Sequence, residues 1–204
     1  MGQQLPAQIR HMGKKTDSSA RMLDAAWLIV AEGGPLRLTF DAIAARLGVS
    51  KQAVLYWFPT KSHLMAALVL PALRAEAGAV TDACAQGGPA AVARRRALTA
   101  LAAFHLADLD RFRLIYLAAQ TGPGVNLETT PEAVAELHRI TDGLYTELAH
   151  TVTARPKARA RRAAVAMHAA VIGVLTMIAL GHSIGDPMKH AGMDQINALL
   201  DHLC

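Results

Sequence analysis

Residues 39–61 constrain the fold of this chain more than any other stretch, because they contain the start and stop signals of two short helices. Thr39 has the hydroxyl side chain that is preferred at a helix N-cap. Apolar residues follow it at helical spacing, namely Ile43, Ala44 and Leu47. Gly48 ends this helix, because glycine adopts the left-handed conformation of a C-terminal turn without a steric clash, and Ser50 can cap the next helix.

The second of these helices has an apolar side and a polar side. Residues four apart on a helix share a face, so the spacing predicts an inward stripe of Val49, Val54 and Phe58. The opposite face carries Lys51, Gln52, Leu55 and Tyr56. Two short helices joined by a glycine turn, the second with an outward polar and aromatic face, are typical of a helix-turn-helix. The second helix of that motif enters the major groove of DNA.

The stretch resembles the DNA-binding domain of the TetR family of transcriptional regulators over residues 18–66. The resemblance lies in the opening threonine, in Ile43-Ala44, in Gly48-Val49-Ser50 and in the aromatic residues before Lys61. One position departs from the family, because Leu55 stands where a tyrosine usually contacts phosphate. The resemblance implies a homodimer whose two recognition helices read a palindromic operator in double-stranded DNA. It also implies a C-terminal domain that binds an effector and pairs its last two helices with their copies.

The candidate DNA-binding residues lie at helix starts or along the second helix. They are Thr39, Ser50, Lys51, Gln52, Ala53, Leu55, Tyr56, Trp57 and Lys61. Gln can bond adenine through two hydrogen bonds, Lys can bond guanine or a phosphate, and helix N-termini favour phosphates. The hydroxyl residues are also expected to cap their helices. For Trp57, packing in the core is as good an interpretation as a contact with DNA.

The whole chain is predicted to be all-α, with an N-terminal three-helix helix-turn-helix domain and a C-terminal helical domain for ligand binding and dimerisation. Only 4% of its residues are aromatic, and it is rich in Ala and Leu, which favours helix over strand. Residues 1–17 are interpreted as a flexible basic arm and residues 18–63 as the DNA-binding domain, with a first helix from Ser18 or Ser19. Residues 64–204 form the effector-binding and dimerisation domain. The net charge supports this division, since residues 1–63 carry +4 of the total of +5.

Several features organise the chain after residue 63. Pro71 lies ten residues into a long fourth helix and predicts a bend near residues 68–70, because proline removes a backbone hydrogen bond. Gly87-Gly88-Pro89 ends that helix, and Pro131 begins a later helix at its favoured first position. The run Arg94-Arg95-Arg96 is interpreted as a solvated turn.

Eight polar or aromatic residues are the candidates for an effector cavity. They are Phe104, His105, Phe112, Tyr116, His138, Tyr145, Met167 and His168. An ordinary place in the core is the alternative for each of them. The spacing of the histidines does not favour a metal site, so neither a metal nor a cofactor is predicted.

The segment of residues 163–180 has no charged residue and reaches the lower length limit of a membrane span. His168, Thr176 and the many alanines weaken that interpretation, and a buried helix that needs a second copy as cover is preferred. The predicted dimer interface lies on this helix and the last one. It comprises Ala164, Met167, Val171, Val174, Ile178, Ile196, Leu199, Leu200 and Leu203.

These features predict a homodimeric repressor that a small, largely apolar effector of unknown identity releases from its operator. Two cysteines, Cys84 and Cys204, form neither a disulfide framework nor a metal motif, which favours a cytoplasmic protein. The alternative is an architectural DNA-binding or partner-binding protein that responds to no ligand. The chain has no phosphate-binding glycine loop and no nucleophile motif, so we do not expect an enzyme. We do not expect a membrane protein either, because His168, Thr176 and the alanines weaken the apolar segment.

Overall fold

The chain folds as an all-α protein, as its sequence predicts, in a computed structural model that describes residues 7–117, 130–153, 156–184 and 192–204. Nine α-helices lie within these described ranges. In chain order they are α1 (Ala7–Gly33), α2 (Phe40–Leu47), α3 (Lys51–Trp57), α4 (Lys61–Ala85), α5 (Ala90–Leu106), α6 (Leu109–Phe112), α7 (Pro131–His150), α8 (Lys157–Ile184) and α9 (Gly192–Leu203). A π-helical turn (Arg113–Leu117) directly follows α6.

Helix α1 begins about three turns before the start that was predicted at Ser18 or Ser19. The predicted flexible arm is therefore wrong for residues 7–17, which continue this helix. A polar composition does not exclude a helix, because Lys, Arg, Gln and Met are good helix formers, and no proline occurs between residues 7 and 33. Residues 1–6 of the predicted arm lie outside the described residues.

The first hydrophobic core joins α1, α2, α3 and the first half of α4. Its most deeply buried side chains are Val30, Leu38, Ile43, Val54, Leu64 and Val69. Trp27 and Trp57 pack against this core and are partly buried. Leu114 and Ile115 of the π-helical turn are also buried in it, so a segment from the C-terminal half of the chain supports the N-terminal domain.

The helix ends in this region follow the local sequence signals. Each of α2, α3 and α4 begins at a hydroxyl N-cap, respectively Thr39, Ser50 and Thr60. Gly48 has the left-handed conformation, with φ of 65°. Val49 corrects the predicted inward stripe: it precedes the cap of α3, lies outside that helix and is exposed, so the stripe consists of Val54 and Phe58.

The second core joins the rest of α4 to α5, α6, α7, α8 and α9. Its most deeply buried side chains include Val80, Leu98, Leu101, Phe112, Leu148, Val171, Leu175, Ile196 and Leu200. Helix α7 begins with Pro131 at its first position, as predicted, after the Thr130 cap. The loop predicted from residue 121 to Thr130 lies outside the described residues, apart from Thr130 itself.

The arginine run of α5 ties helix ends together, so its interpretation as a solvated turn is wrong. Arg94 donates three hydrogen bonds of 3.0–3.2 Å to backbone carbonyls at the C-terminal ends of α7 and α9, namely those of Thr151, Leu203 and Cys204. Arg96 donates to the carbonyl of Ala83 in the last turn of α4, at 2.9 Å, and to that of Gly87 after this helix, at 2.7 Å. These contacts satisfy carbonyls that have no partner within their own helices.

Helix α4 belongs to both cores, with Ala72 in the first and Val80 in the second. The first core thus extends beyond the domain boundary that was predicted at residue 63. Pro71 is exposed within α4, and the bend expected beside it stays a prediction. By length and composition alone, α4 and α8 are apolar enough to cross a membrane, but each buries one face in these cores.

Candidate functional site

The start of α3 presents two of the predicted base-contacting side chains to solvent. Lys51 and Gln52 are both exposed there. The Nζ atom of Lys51 lies 2.8 Å from Oδ2 of Asp41 on α2, and both side chains are more than half exposed. Exposed ion pairs of this kind contribute about 0–1 kcal/mol. A phosphate or a base can therefore take the place of Asp41 as the partner of Lys51 without a large loss of stability.

The hydroxyl caps are positioned at two adjacent helix starts. The Oγ1 atom of Thr39 accepts a hydrogen bond from the Ala42 N–H at 3.0 Å, and Oγ of Ser50 accepts one from the Ala53 N–H at 3.2 Å. In each case the hydroxyl oxygen acts as the acceptor, and the O–H group can still donate to a phosphate oxygen. Capping and phosphate contact are thus compatible at these residues.

The three residues at the family's phosphate-contacting position face different ways. Tyr56 is 68% exposed, whereas Leu55 and Trp57 are half-buried. The two aromatic rings meet edge to face, with centroids 5.4 Å apart, and Trp57 packs against the first core. Tyr56 is therefore the aromatic side chain that α3 offers to a partner. Two other candidate residues are half-buried, Ala53 on α3 and Lys61 at the start of α4.

A second candidate site lies inside the C-terminal half of the protein and is built around one carboxylate. Glu76 of α4 is only 1% exposed. The Tyr116 hydroxyl donates to both of its oxygens at 2.9 Å. His168 Nε2 lies 3.1 Å from Oε1, and His105 Nε2 lies 3.2 Å from Oε2. The His105 ring is within ion-pair distance, but within the described residues neither of its nitrogens has a hydrogen-bond partner with good geometry.

Aromatic rings surround this carboxylate and its partners. The Tyr145 hydroxyl lies 3.2 Å from Nδ1 of His168, and the Phe112 ring lies against both His105 and Tyr116 with centroids 5.2 and 5.3 Å away. We call Glu76, His105, Tyr116, Tyr145 and His168 the Glu76 cluster. Its members come from α4, α5, the π-helical turn, α7 and α8, so the cluster exists only when all five elements are folded together.

The surroundings keep Glu76 ionised. Burial by itself raises the pKa of the Glu76 carboxyl, but the contacts and charges of His105 and His168 outweigh it and lower the pKa from 4.5 to about 2. Burial and the neighbouring Glu76 charge raise the pKa of Tyr116 far above its ordinary value, so its hydroxyl stays protonated and donates. The cluster is a buried anion that contacts one neutral donor, the Tyr116 hydroxyl, and two histidines.

The other predicted effector residues behave differently. Phe104 lies at the edge of the cluster, with the Arg111 guanidinium 4.0 Å from its ring centroid. Met167 is buried in the second core. His138 is exposed on α7, so its predicted place in a cavity is wrong: it lies on the face opposite the buried Ile140 and Leu144. In the described part of the chain, no group of three His, Cys, Asp or Glu residues could hold a metal ion.

A groove of about 770 Å³ opens near the cluster, between the end of α7 and the start of α8. Ala149, Val152 and Ala160 form part of its apolar lining, and Lys157 and Arg161 line it with positive charge. The Arg161 guanidinium lies 5.8 Å from the Tyr145 ring centroid. Arg161 thus lines the groove and also lies over Tyr145 of the cluster.

Comparison with known proteins gives a family match over the part of the chain that contains α3. The model of the bacterial regulatory proteins of the tetR family matches residues 22–68, which span the helix-turn-helix and the start of α4. The TetR resemblance of the sequence is therefore confirmed over residues 22–68. A comparison with curated protein sequences gives no match.

Solved structures share the fold of this protein over nearly its whole length. The regulatory protein SCO4313 has a TM-score of 0.72 at 21% identity, over 98% of each chain. A tetR-family regulatory protein from Rhodococcus RHA1 has a TM-score of 0.67 at 20% identity, over 90% of this chain and 93% of that one. The transcriptional regulator FadR from Bacillus subtilis, in complex with stearoyl-CoA, has a TM-score of 0.67 at 14% identity, over 91% and 97%. These identities show a common fold.

Sequence reasoning missed Glu76, the centre of the buried cluster. One signal could have found it. Glu76 lies four residues after Ala72 and four before Val80, both of which are buried, so it occupies the apolar face of α4. A carboxylate on such a face needs partners inside the protein, because a buried unpaired charge is very unfavourable.

The predicted dimer interface needs a correction. Five of its nine residues are buried inside the single chain and have no surface to offer a second copy, namely Ala164, Met167, Val171, Ile196 and Leu200. Val174, Ile178, Leu199 and Leu203 are half-buried. The outward face of α8 instead carries exposed Val165, Met177 and Leu180. Sequence alone did not separate the inward and outward apolar faces of α8, and an interface on this helix stays a prediction.

Proposed function

We propose that this TetR-family protein is a repressor that binds a palindromic operator as a homodimer and leaves it when a small effector enters its C-terminal domain. The exposed face of α3 is the observation that supports this function most directly. Lys51, Gln52 and Tyr56 project from a helix whose other face is fixed in the first core by Val54. A rigid helix with outward hydrogen-bonding side chains fits the major groove.

The outward face of α8 supports the homodimer. Met177 is 68% exposed and Leu180 is 51% exposed, although both belong to a segment without charged residues. Such a face is unfavourable in water and is typical of an interface. A second copy that covers it would place two recognition helices on one operator, with half-sites about 34 Å or a multiple of it apart.

The Glu76 cluster supports effector binding by residues 64–204, because polar groups that converge inside an apolar core are typical of ligand sites. Helix α4 joins this cluster to the first core, and the π-helical turn carries Tyr116 into the cluster and Leu114 into the first core. An effector that binds one arrangement of these elements better than another changes the spacing of the recognition helices.

The remaining properties belong to the same proposal. The family consists of bacterial regulatory proteins, and we expect no catalytic activity from this member. We expect a cytoplasmic protein that does not enter the membrane, since α4 and α8 bury apolar residues in the cores and the exposed part of α8 is assigned to the partner copy.

Electrophoretic mobility shift on the DNA that flanks the gene tests this proposal. The purified protein should give a sequence-specific shift that weakens as salt rises, because phosphate contacts release counterions. Gln52→Ala should weaken specific binding by about 1–3 kcal/mol. Gln86→Ala is the matched control, since Gln86 is exposed at the far end of α4 and should leave the shift unchanged.

Two results would contradict the proposal. A Gln52→Ala protein that binds as specifically as the wild type would exclude α3 as the reading helix. Specific binding that no compound weakens would favour a ligand-independent DNA-binding protein instead.

A further inference from the structure

We infer that Asp41 determines how strongly this protein prefers its operator over other DNA, because its carboxylate disfavours contact between Lys51 and a phosphate. The inference rests on the proposed DNA-binding function of α3 and names a residue that sets its specificity. Asp41 lies in the first turn of α2, and 70% of its side chain is exposed. Its Oδ2 atom accepts a hydrogen bond from Nζ of Lys51 at 2.8 Å.

The Asp41 carboxylate is a fixed feature of the surface that is proposed to face DNA. Helix α2 is anchored in the first core by Ile43 and Ala44, which closely follow Asp41 in the chain. Asp41 also lies in the same turn as the Thr39 cap, which is proposed to contact a phosphate. A negative charge close to a polyanion is unfavourable. The charge of Asp41 therefore lowers the affinity of this surface for the DNA backbone.

Lys51 can bond a base while it keeps its contact with Asp41. An ammonium group has three N–H donors, and Asp41 accepts from one of them. The other two can bond O6 and N7 of a guanine, whose edge carries no net charge. A phosphate that binds Lys51 instead brings its negative charge beside the Asp41 carboxylate, which repels it. A repulsive group that acts only against the wrong partner is a general source of specificity.

The basic residue of α2 is neutralised as well. The Nη2 atom of Arg46 lies 2.6 Å from both carboxylate oxygens of Glu32 on α1. Residues 18–63 hold five Lys or Arg and three Asp or Glu, and two of these acids are the partners of Arg46 and Lys51. The paired charges weaken the attraction of this domain for phosphates in general, so its affinity depends more on contacts with bases.

Fluorescence anisotropy with two labelled duplexes over a series of salt concentrations tests the inference. One duplex is the DNA that flanks the gene, and the other has the same base composition in scrambled order. Asp41→Asn should bind the scrambled duplex about fivefold more tightly than the wild type does. The salt slope on this duplex should steepen by about one unit, because Lys51 gains a phosphate contact. Affinity for the flanking DNA should change much less, so the ratio of the two affinities should fall.

Three further variants separate the role of Asp41 from an effect of net charge or of helix stability. Asp82→Asn makes the same change at an exposed residue near the far end of α4 and should leave both salt slopes unchanged. Asp41→Glu keeps the charge and should keep the wild-type preference. In a Lys51→Gln protein, Asp41→Asn should no longer steepen the salt slope, a result that a merely structural role of Asp41 would not produce.

The outcomes separate this inference from the regulator proposal. An unchanged affinity ratio and salt slope in Asp41→Asn would overturn the inference, as would an equal change in Asp82→Asn or a change that persists without Lys51. Each of these results would leave the proposed function intact, since the wild type would still bind the flanking DNA specifically. A wild type that binds both duplexes equally would instead contradict the proposed function, and the inference with it.

Discussion

The two cores of this protein are held together by polar contacts of opposite kinds. In the first core, the polar contacts are local and exposed, such as those from Thr39 to Ala42 and from Ser50 to Ala53. In the second core they are buried and long-range: Glu76 contacts Tyr116, 40 residues later, and His168, 92 residues later. The surface proposed to read DNA is therefore specified locally, whereas the proposed effector site is assembled from the whole C-terminal half.

The largest effect is expected where the second core meets a partner copy. Met177→Glu places a charge in the proposed interface, and an unpaired buried charge costs about 3–5 kcal/mol. The dimer should therefore dissociate at concentrations at which the wild type is dimeric, as analytical ultracentrifugation can measure. Val92→Glu introduces the same charge at an exposed valine of α5 and should leave the dimer intact. A dimeric Met177→Glu protein would show that α8 does not form the interface.

Acidification should reduce the free energy of unfolding more through the buried carboxylate of Glu76 than through exposed carboxylates. The pKa of Glu76 is lowered from 4.5 to about 2 in the folded protein, so its stabilisation is fully present above pH 4.5 and is lost as the pH falls towards 2. This shift corresponds to about 3 kcal/mol. Urea unfolding at a series of pH values should show a smaller acid loss of stability in Glu76→Gln than in the wild type.

Glu136 provides the control for the acid experiment. The hydrogen bond from Arg74 lowers the pKa of this carboxyl too, but Glu136 lies at the surface, where solvent screens the pair. Glu136→Gln should therefore follow the wild-type acid profile closely. Equal profiles for the wild type and Glu76→Gln would show that the buried carboxylate contributes nothing to acid stability.

The arginine run tests how far the second core depends on helix ends. Arg94→Ala removes three hydrogen bonds to carbonyls of α7 and α9 and should lower the free energy of unfolding by about 2 kcal/mol. Arg95→Ala is the matched control. Among the described residues Arg95 pairs with the exposed Asp201, so this substitution should cost less than about 1 kcal/mol. Similar losses in thermal unfolding of the two variants would contradict the difference in their roles.

The smallest effect is expected at the helix caps of the first core. Ser50→Ala removes the acceptor for the Ala53 N–H and should destabilise the protein by about 1 kcal/mol. Ser50→Thr keeps a hydroxyl and should stay close to the wild type in denaturant unfolding. A larger loss in Ser50→Ala than in Arg94→Ala would reverse the ranking of local and long-range contacts.

The sequence predicted the parts of the fold that depend on neighbouring residues. The caps at Thr39 and Ser50, the turn at Gly48 and the start of α7 at Pro131 follow directly from local signals. The all-α class and the TetR resemblance are confirmed. Nothing in such signals fixes where a helix begins when its first turns are polar, and for this reason the start of α1 was missed.

The buried cluster was only partly predictable, because its contacts join residues far apart in the chain. His105, Tyr116, Tyr145 and His168 were named as candidates from their residue types. Neither Glu76, which contacts all of them except Tyr145, nor the exposure of His138 was recognised. The arginine run was misread for the same reason, since the carbonyls that bind Arg94 lie 57 to 110 residues away. Both the inward and the outward face of α8 are apolar, and the packing of distant helices, which sequence alone does not show, distinguishes them.

The division of α4 between the two cores has a consequence for hybrid regulators. A chimera cut at the predicted boundary of residues 63 and 64 would remove Leu64, Leu68 and Val69 from the first core. A cut between Ala72 and Val80 would leave that core with its own part of α4, but Leu114 and Ile115 would still come from the other parent. An exchange of the DNA-binding domain between two such proteins should therefore include the π-helical turn, so that Leu114 and Ile115 come from the same parent as the first core.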